Sequence, residues 1–442
     1  MKSLSSGKRY MQWQKGGEIY KAFGLAAVVY FTVMFTGARP LHEWVFTQWM
    51  FSYENGFIKR GLHGEILRLM GFEISYLLIF TIILILLLIL NIALILLFTK
   101  PLRSDTFGSL SLREQLSASN WTEKPIHIGL ALFCLTALLH STTLQRFFQF
   151  PGYLEHLQLI LVLGTLFILD RILRKNEKSQ QIYSFLMIGG ICFTSLFIHE
   201  GFLFFYLPMI FMYWVYQLPG SIVFNTFRLI LLAGLVFQTW LIGTYGLLPA
   251  DQYQPFLNEL QNRFGTNNVD IGSMKVLFRG FSTNLNFTWS WFEQRLTEKL
   301  IHLGFTIIIL SPTVYIFWNL YKEDFRKGWR ILFKKHETQT LSTPKNSVLK
   351  GLLVLSCLTP LILIPIGIDL FRWISISILN LFVITAFLMS DQEFHKRAAE
   401  TFYRLRYLLV LVIALSLIFG VLGVTNSFSW VYKLTTDLGL GI

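Results

Sequence analysis

The sequence predicts an all-α membrane protein, a polytopic bundle of about eleven transmembrane helices forming one domain over residues 1–442. Three observations predict it. First, 54% of the residues are apolar or aromatic and 14% are charged, whereas soluble domains carry roughly 25% charged residues. Second, several apolar runs, residues 74–98 above all, are about as long as the roughly 20 residues that a spanning helix needs or longer. Third, basic residues flank these runs, as the positive-inside bias requires.

Each apolar run defines one expected span. The expected spans are 22–37, 74–98, 126–142, 154–170, 182–198, 202–216, 227–247, 301–320, 350–367, 374–390 and 407–424. Residues 182–216 also admit one long helix, because only His199-Glu200-Gly201 interrupts them. With two spans there and the N-terminus inside, 26 of the 38 Lys and Arg residues fall in inner segments. One span would place the basic segment 321–349 outside. We therefore expect the N-terminus inside and the C-terminus outside.

The segments outside the spans contain no sequence motif for several classes of function. They are a cytoplasmic tail at 1–21, a first outer loop at 38–73, an inner loop at 101–125, a large outer loop at 249–300 and an inner loop at 321–349. The inner loops contain no glycine-rich phosphate-binding motif, which excludes an ATP-driven pump and an enzyme with its own nucleotide-sugar domain. The basic residues that give the net charge of +13 flank the apolar runs. This distribution indicates membrane lipid as the partner and argues against nucleic acid.

Unusual polar residues gather on the side that this topology places outside. Ionisable groups at the edge of the hydrocarbon are costly and are usually retained for a site or a pathway. In the first outer loop, the binding candidates are Lys59, Arg60 and His63, and the candidate bases are Glu43 and Glu54. Arg and Lys suit a phosphate, and Gly56, Gly61 and Gly64 allow tight turns and close backbone approach. The alternative is interfacial anchoring, in which the basic residues meet lipid phosphates.

Two further outer turns carry candidate residues. His199 and Glu200 are candidate catalytic residues, as a general base or an acceptor-positioning pair, and they could help to bind a divalent cation; the alternative is a hydrogen-bonded polar turn. Asp369 and Arg372 are three apart and can pair on one helical face. Arg372 would bind a phosphate or a sugar carboxylate and Trp373 would stack on a sugar, or the three residues would form a structural ion pair beside an interfacial Trp.

Four residues near the second outer turn are weaker candidates. They are His140, Arg146, Glu155 and His156. A lone His at a helix end is more often simply hydrated. Of these four, Arg146, which flanks the second outer loop with His140, is a substrate-binding candidate.

This layout resembles bacterial envelope-polysaccharide membrane proteins, namely polyprenyl-sugar glycosyltransferases of the GT-C class and O-antigen-polymerase-like enzymes. The resemblance is architectural and covers most of the chain. It implies acidic catalytic residues in the first outer loop, where Glu43 and Glu54 stand. For a polymerase it implies outer-face Arg and His, which Arg60, His63, His199 and Arg372 would supply.

The expected function is therefore that of a multi-pass membrane glycosyltransferase or polysaccharide polymerase in the bacterial inner membrane. It would take a sugar from a polyprenyl (di)phosphate at the extracytoplasmic face, without a cofactor unless a divalent cation takes part. The alternatives are a transporter or flippase of lipid-linked glycan, a non-catalytic subunit of an envelope-assembly complex, and an acyltransferase. A transporter should carry charges near the midplane on broken helices, and the predicted spans are nearly free of charge at their middles.

Overall fold

A computed structural model of the chain describes residues 31, 39–54, 56–103, 124–172, 178–218, 222–333, 343–365, 367–424 and 426–437. These residues form helices and no named strand; an isolated bridge joins Leu422 to Phe428. The α-helices are α1 Glu43–Trp49, α2 Leu62–Leu69, α3 Tyr76–Thr99, α4 Lys124–Leu139, α5 Leu144–Gln149, α6 Leu154–Ile172, α7 Lys178–Ile198, α8 Phe202–Phe205, α9 Leu207–Gln217, α10 Ile222–Tyr245, α11 Tyr253–Phe264, α12 Ile271–Lys275, α13 Phe281–Gln294, α14 Leu296–Phe333, α15 Thr343–Ser356, α16 Leu370–Leu388, α17 Gln392–Arg404, α18 Arg406–Phe419 and α19 Ser429–Asp437. Short 3-10 turns cover Lys100–Arg103, Ala250–Gln252, Thr266–Asn268, Val276–Phe278 and Thr359–Leu363.

The all-helical fold and its membrane character are confirmed. In the described part of the chain, five helices are long and apolar enough to cross a membrane, and the pair α17 and α18, bent by 73°, makes a sixth if it counts as one span. The expectation of eleven spans and of an N-inside topology remains a prediction. Of the expected first span, 22–37, only Phe31 lies within the described residues.

Two expected spans are interrupted, and proline explains both. The run 202–216 divides into α8 and α9 at Tyr206, because Pro208 has no N–H to donate to the carbonyl of Phe204. Thr359 Oγ1 donates to that carbonyl instead, at 2.8 Å. The run 350–367 likewise leaves the α-helix at Ser356 and continues as a 3-10 turn, because Pro360 cannot donate to Ser356. The helix α7 ends at Ile198, so residues 182–216 are not one helix.

The segment 249–300 is a folded helical cap. Its helix α11 buries Phe256, Leu257 and Leu260 on one face, which is the spacing of an amphipathic helix. The cap is joined to α1, because Thr47 Oγ1 accepts a hydrogen bond from the Asp270 backbone N–H at 2.8 Å. The first loop, which contains Thr47, is thereby covered by a chain segment about 220 residues away, as the separation of Thr47 and Asp270 shows.

The bundle has two polar ends, and α16 runs between them through the interior. All of its residues are buried except Ile374, which is partly buried. At the end where α3, α6 and α16 finish lie three ion pairs: Lys100–Asp170 at 2.5 Å, Lys350–Asp391 at 3.3 Å and Arg397–Asp324 at 2.5 Å. The opposite end, where these helices begin, carries the first loop, the His199 turn and Arg372.

A substitution at Gly64 would test how closely the first loop is packed. A Cβ at this position would lie 2.1 Å from the Phe51 carbonyl oxygen and 3.0 Å from that of Trp49. We expect Gly64→Ala to separate α2 from the end of α1 and to lower the free energy of unfolding by about 1–3 kcal/mol. Thermal unfolding of the purified chain in detergent measures this. Gly164→Ala is the control, because its Cβ would meet nothing within 4 Å, and it should be neutral or stabilising by about 0.5–1 kcal/mol.

Candidate functional site

The first component of the site is an ion pair between the first loop and the turn after α7. Arg60 Nη2 lies 2.6 Å from Glu200 Oε1, and Arg60 Nε donates to Glu200 Oε2 at 3.0 Å. The Gln48 side-chain oxygen accepts from Arg60 Nη1 at 3.3 Å when its amide is turned toward the donor. The guanidinium is thus held in a fixed, bidentate geometry, with the Arg60 side chain 12% exposed and that of Glu200 25% exposed.

The backbone of this loop is strained where Arg60 sits. Arg60 has a φ of 61°, and among the described residues it is the only non-glycine residue with positive φ. Such strain costs roughly 1–3 kcal/mol and gathers at functional sites. The loop is held in place by Lys59, whose backbone N–H donates to the Gly246 carbonyl at 3.0 Å and whose Nζ donates to the Arg279 carbonyl at 3.0 Å. The neighbouring segments therefore fix a conformation that the sequence alone disfavours.

The second component is a buried ion-pair network at the start of α16. Arg372 Nη2 and Nε donate to the two carboxylate oxygens of Glu155 at 2.6 and 2.8 Å, and Arg372 Nη1 donates to Asp369 at 2.8 Å. Arg146 Nη2 lies 3.9 Å from Glu155 Oε1. The Glu155 side chain is 1% exposed. A buried carboxylate of this kind is stable only with its cationic partners in place.

His199 and Phe205 join the two components. The His199 ring centroid lies 5.4 Å from that of Phe205, and Trp373 stacks on Phe205 at 5.2 Å. The charges of Arg60 and Arg372 both act on His199. Asn380 in α16 fixes this junction, because its side-chain nitrogen donates to the Phe205 carbonyl at 2.8 Å. We call the joined residues the polar cluster: Lys59, Arg60, Arg146, Glu155, His199, Glu200, Asp369 and Arg372.

Protonation within the polar cluster is fixed by burial and by partners. Burial alone would raise the pKa of Glu200, but the Arg60 guanidinium holds it well below its usual range, so Glu200 is a carboxylate. Burial and the charge of Arg60 lower the pKa of His199 to about 3. His199 Nδ1 accepts from the Gly201 backbone N–H at 2.9 Å. The neutral ring therefore carries its proton on Nε2, which makes that nitrogen a donor and leaves proton acceptance at this turn to the Glu200 carboxylate.

The structure gathers most, but not all, of the candidate residues. Glu43 is exposed in the first turn of α1, and Glu54 pairs with Arg263 at 3.0 Å on the surface of the cap. His63 is buried; its Nε2 donates to the Gln48 carbonyl at 2.7 Å, and burial lowers its pKa to about 4. Trp373 is 6% exposed and stacks inside the protein. The contacts described for His63 and Trp373 lie inside the protein, and the expected contact of these residues with substrate remains a prediction.

Glu155 is the residue that sequence reasoning undervalued. Glu155 is the second residue of α6 and lies at the start of the expected span 154–170, where the sequence alone marks it as a weak candidate. A carboxylate at that depth needs a cation, and this requirement links it to Arg372, 217 residues away. Among the described residues, no group of three or more His, Cys, Asp or Glu is placed to hold a metal ion. His199 and Glu200 therefore lack a third ligand of these types there.

Lys59 gives the site a pH dependence that can be measured. Burial lowers its pKa to about 8, whereas an unfolded Lys titrates near 10.4. Between these values the unfolded chain holds a proton that the folded chain has lost, so stability rises with pH. We expect the free energy of unfolding to increase by up to about 3 kcal/mol from pH 7 to 10.5 in the wild type and not in Lys59→Met. Parallel curves from denaturant titrations in detergent would contradict this assignment.

Comparison with known proteins identifies no relative: no family model matches the chain, and neither do curated proteins or solved structures.

Proposed function

We propose that the chain is a membrane-embedded glycosyltransferase or polysaccharide polymerase that takes a sugar from a polyprenyl-phosphate-linked donor at the extracytoplasmic face of a bacterial inner membrane. The observation that carries the proposal is the polar cluster itself. Four segments far apart in the chain bring two arginine–carboxylate groups and a buried lysine to one end of an apolar bundle. Cationic groups next to ionised carboxylates are what transfer from a lipid phosphate needs.

The reaction requires a cation for the leaving phosphate and a base for the acceptor. The sugar C1–oxygen bond to the phosphate breaks, C1 bonds to the acceptor oxygen, and the acceptor proton passes to a carboxylate. We propose that Arg60 binds the leaving phosphate and that the positive charges of Lys59 and Arg372 help to stabilise it. A phosphate that pairs with Arg60 displaces Glu200, whose side chain is 25% exposed. The released carboxylate then takes the proton, with Glu43 as the alternative base at the exposed start of α1.

The test is deletion in the organism that encodes the chain, followed by mass spectrometry of the envelope glycans and of the lipid-linked sugar pool. We expect the deletion to remove one sugar, or to shorten the polymer, and to accumulate the lipid-linked donor. Complementation by the wild type should restore the glycan. An unchanged glycan together with an unchanged lipid-linked pool would refute the proposal.

Transport of a lipid-linked glycan is the second candidate. Two short helices favour this candidate. The helices α9 and α15 have 11 and 14 residues, so each is too short to span a membrane alone, and they pack against each other. Interrupted helices are frequent in transporters. A transporter moves the glycan without changing its covalent structure, so its deletion would accumulate the complete lipid-linked glycan on the inner leaflet. Deletion of a transferase would instead accumulate the lipid-linked donor that has not transferred its sugar.

A further inference from the structure

The helix α13 of the cap leaves an apolar stripe exposed. Phe281, Leu285 and Trp289 are 67%, 36% and 64% exposed, and their spacing of four residues places them on one side of the helix. Of the 14 residues of α13, all of them described, Thr288 alone is buried. A contiguous exposed apolar surface of this kind marks a contact with a membrane or with another protein.

The polar residues of α13 lie on a different side of the helix. Ser282, Asn286 and Ser290 each follow one residue of the stripe, and all three are exposed. A step of one residue turns an α-helix by about 100°. The helix is therefore amphipathic, and its apolar side does not pack into the cap as that of α11 does.

The next helix, α14, shows where the hydrocarbon begins. Its charged residues Glu298 and Lys299 are buried inside the protein, so its outward face is apolar from the first turn onward. The residues of that face are each more than half exposed: Leu296, Leu300, Ile307, Ile308, Val314, Tyr315 and Trp318. At about 1.5 Å per residue, the face extends about 33 Å from Leu296 to Trp318, which matches a hydrocarbon core of about 30 Å. One edge of the hydrocarbon therefore lies close to Leu296.

We infer that α13 lies on the membrane surface as an interfacial helix, with Phe281, Leu285 and Trp289 inserted between the lipid headgroups. Only Arg295 separates α13 from α14, so lipid already borders the end of the stripe. Aromatic rings are favoured at headgroup depth. Lys275 precedes α13 and Arg295 follows it, which places a cation near each end of the helix for lipid phosphates. This inference does not depend on the proposed function.

The interfacial helix is connected to the polar cluster through Arg279. The Arg279 guanidinium lies 4.2 Å from the ring centroid of Phe287 in α13, and the Arg279 carbonyl accepts the hydrogen bond from Lys59 Nζ at 3.0 Å. An α13 that is held on the lipid therefore also holds the segment that binds Lys59. The membrane surface thereby helps to support the loop that carries Arg60.

The experiment measures the surroundings of α13 in the full-length chain in lipid nanodiscs of phosphatidylethanolamine and phosphatidylglycerol. A nitroxide is attached to single introduced cysteines, and its collisions with oxygen, which dissolves in lipid, are compared with those with a water-soluble nickel chelate. The native cysteines Cys134, Cys192 and Cys357 are buried, and the wild type treated in the same way gives the background. The variants form three neighbouring pairs: Phe281→Cys and Ser282→Cys, Leu285→Cys and Asn286→Cys, and Trp289→Cys and Ser290→Cys.

We expect the ratio of oxygen to nickel collisions to be higher at the stripe position than at its neighbour in every pair. All six positions are exposed, so the substitutions do not disturb a packed core. Equal nickel access on both sides would place α13 in water and overturn the inference. Exclusion of both reagents from the stripe would show that a protein covers it, and this outcome would overturn the inference as well.

Charged substitutions test whether the stripe holds α13 on the lipid. Leu285→Asp with Trp289→Asp should lower the oxygen to nickel ratio of a nitroxide at Phe281→Cys, because aspartate is costly in the lipid. Asn286→Asp with Ser290→Asp adds the same charges on the polar side and should leave the ratio unchanged. An equal effect of the two double variants would contradict the role of the stripe.

Hydrogen exchange tests the connection to the polar cluster. The Lys59 backbone N–H is bonded to the Gly246 carbonyl, so its exchange reports how firmly the loop is held. We expect the peptide that contains Lys59 to exchange faster in the Leu285→Asp and Trp289→Asp double variant than in the wild type, and the Asn286→Asp and Ser290→Asp double variant to match the wild type. Unchanged exchange in the first double variant, once its nitroxide ratio has fallen, would refute the connection.

Discussion

Replacing Arg372 by Met is expected to destabilise the protein by about 3–5 kcal/mol and to abolish glycan transfer. The substitution keeps an apolar stem but leaves Glu155, 1% exposed, without its bidentate partner, and it frees Asp369. An uncompensated buried carboxylate is among the costliest single changes in a folded protein. Denaturant unfolding in detergent measures the stability, and complementation of the deletion measures the transfer.

Two further variants separate stability from chemistry in this prediction. Arg372→Met combined with Glu155→Leu removes both members of the pair. It should recover part of the stability, because Arg146 then lacks its carboxylate partner, and it should not recover the transfer. Arg397→Met breaks a similar pair with Asp324, 3% exposed, at the opposite end of the bundle. It should cost stability and leave transfer intact in the protein that folds. Recovery of transfer in the Arg372–Glu155 double variant would reduce Arg372 to a structural residue.

The second large effect is expected at Arg60. Arg60→Ala removes the cation that we assign to the leaving phosphate, and loss of one such group costs roughly 10²–10³ in rate. Stability should fall less than in Arg372→Met, because Glu200 is 25% exposed and water can hydrate it. The rate of glycan incorporation in complemented cells, normalised to the amount of folded protein, measures the effect.

A charge exchange tests whether Arg60 acts only through its ion pair. Arg60→Glu with Glu200→Arg restores the pair but moves the cation to the other side of the contact. We expect stability to return toward the wild type and transfer to remain lost. Full transfer by the exchanged protein would contradict the proposed role. Arg68→Ala is the matched control, because Arg68 is a 39% exposed arginine in the neighbouring α2, where a change should cost no more than about 0.5 kcal/mol.

The helices were largely predictable, and the reason is the bilayer-length apolar pattern. The run 74–98 became α3 at Tyr76–Thr99, and the run 227–247 became α10 at Ile222–Tyr245. Hydropathy does not account for a missing backbone N–H inside an apolar run, so it does not predict the breaks near Pro208 and Pro360. The cap at 249–300 has a local signal in the amphipathic spacing of Phe256, Leu257 and Leu260. Its contact with the first loop, through Thr47 and Asp270, is long-range, and no local pattern encodes it.

The polar cluster was predictable as a set of residues but not as a set of pairs. The requirement that ionisable groups avoid hydrocarbon selected Arg60, His199, Glu200 and Arg372, and the spacing of Asp369 and Arg372 indicated their contact, which the structure contains at 2.8 Å. The partners Arg60–Glu200 and Arg372–Glu155 are 140 and 217 residues apart. Pairing over such distances is decided by helix packing, which a single sequence does not specify.

The different surroundings of α10 and α16 predict that the polar cluster is sensitive to bilayer thickness. Only 17% of the apolar stretch of α10 is buried inside the protein, against 89% for α16. A thicker or thinner bilayer tilts lipid-facing helices through hydrophobic mismatch. The end of α10 holds the first loop, through the bond from Lys59 to Gly246, while Arg372 is anchored on α16. We therefore expect bilayer thickness, and with it lipid composition, to alter the spacing between Arg60 and Arg372.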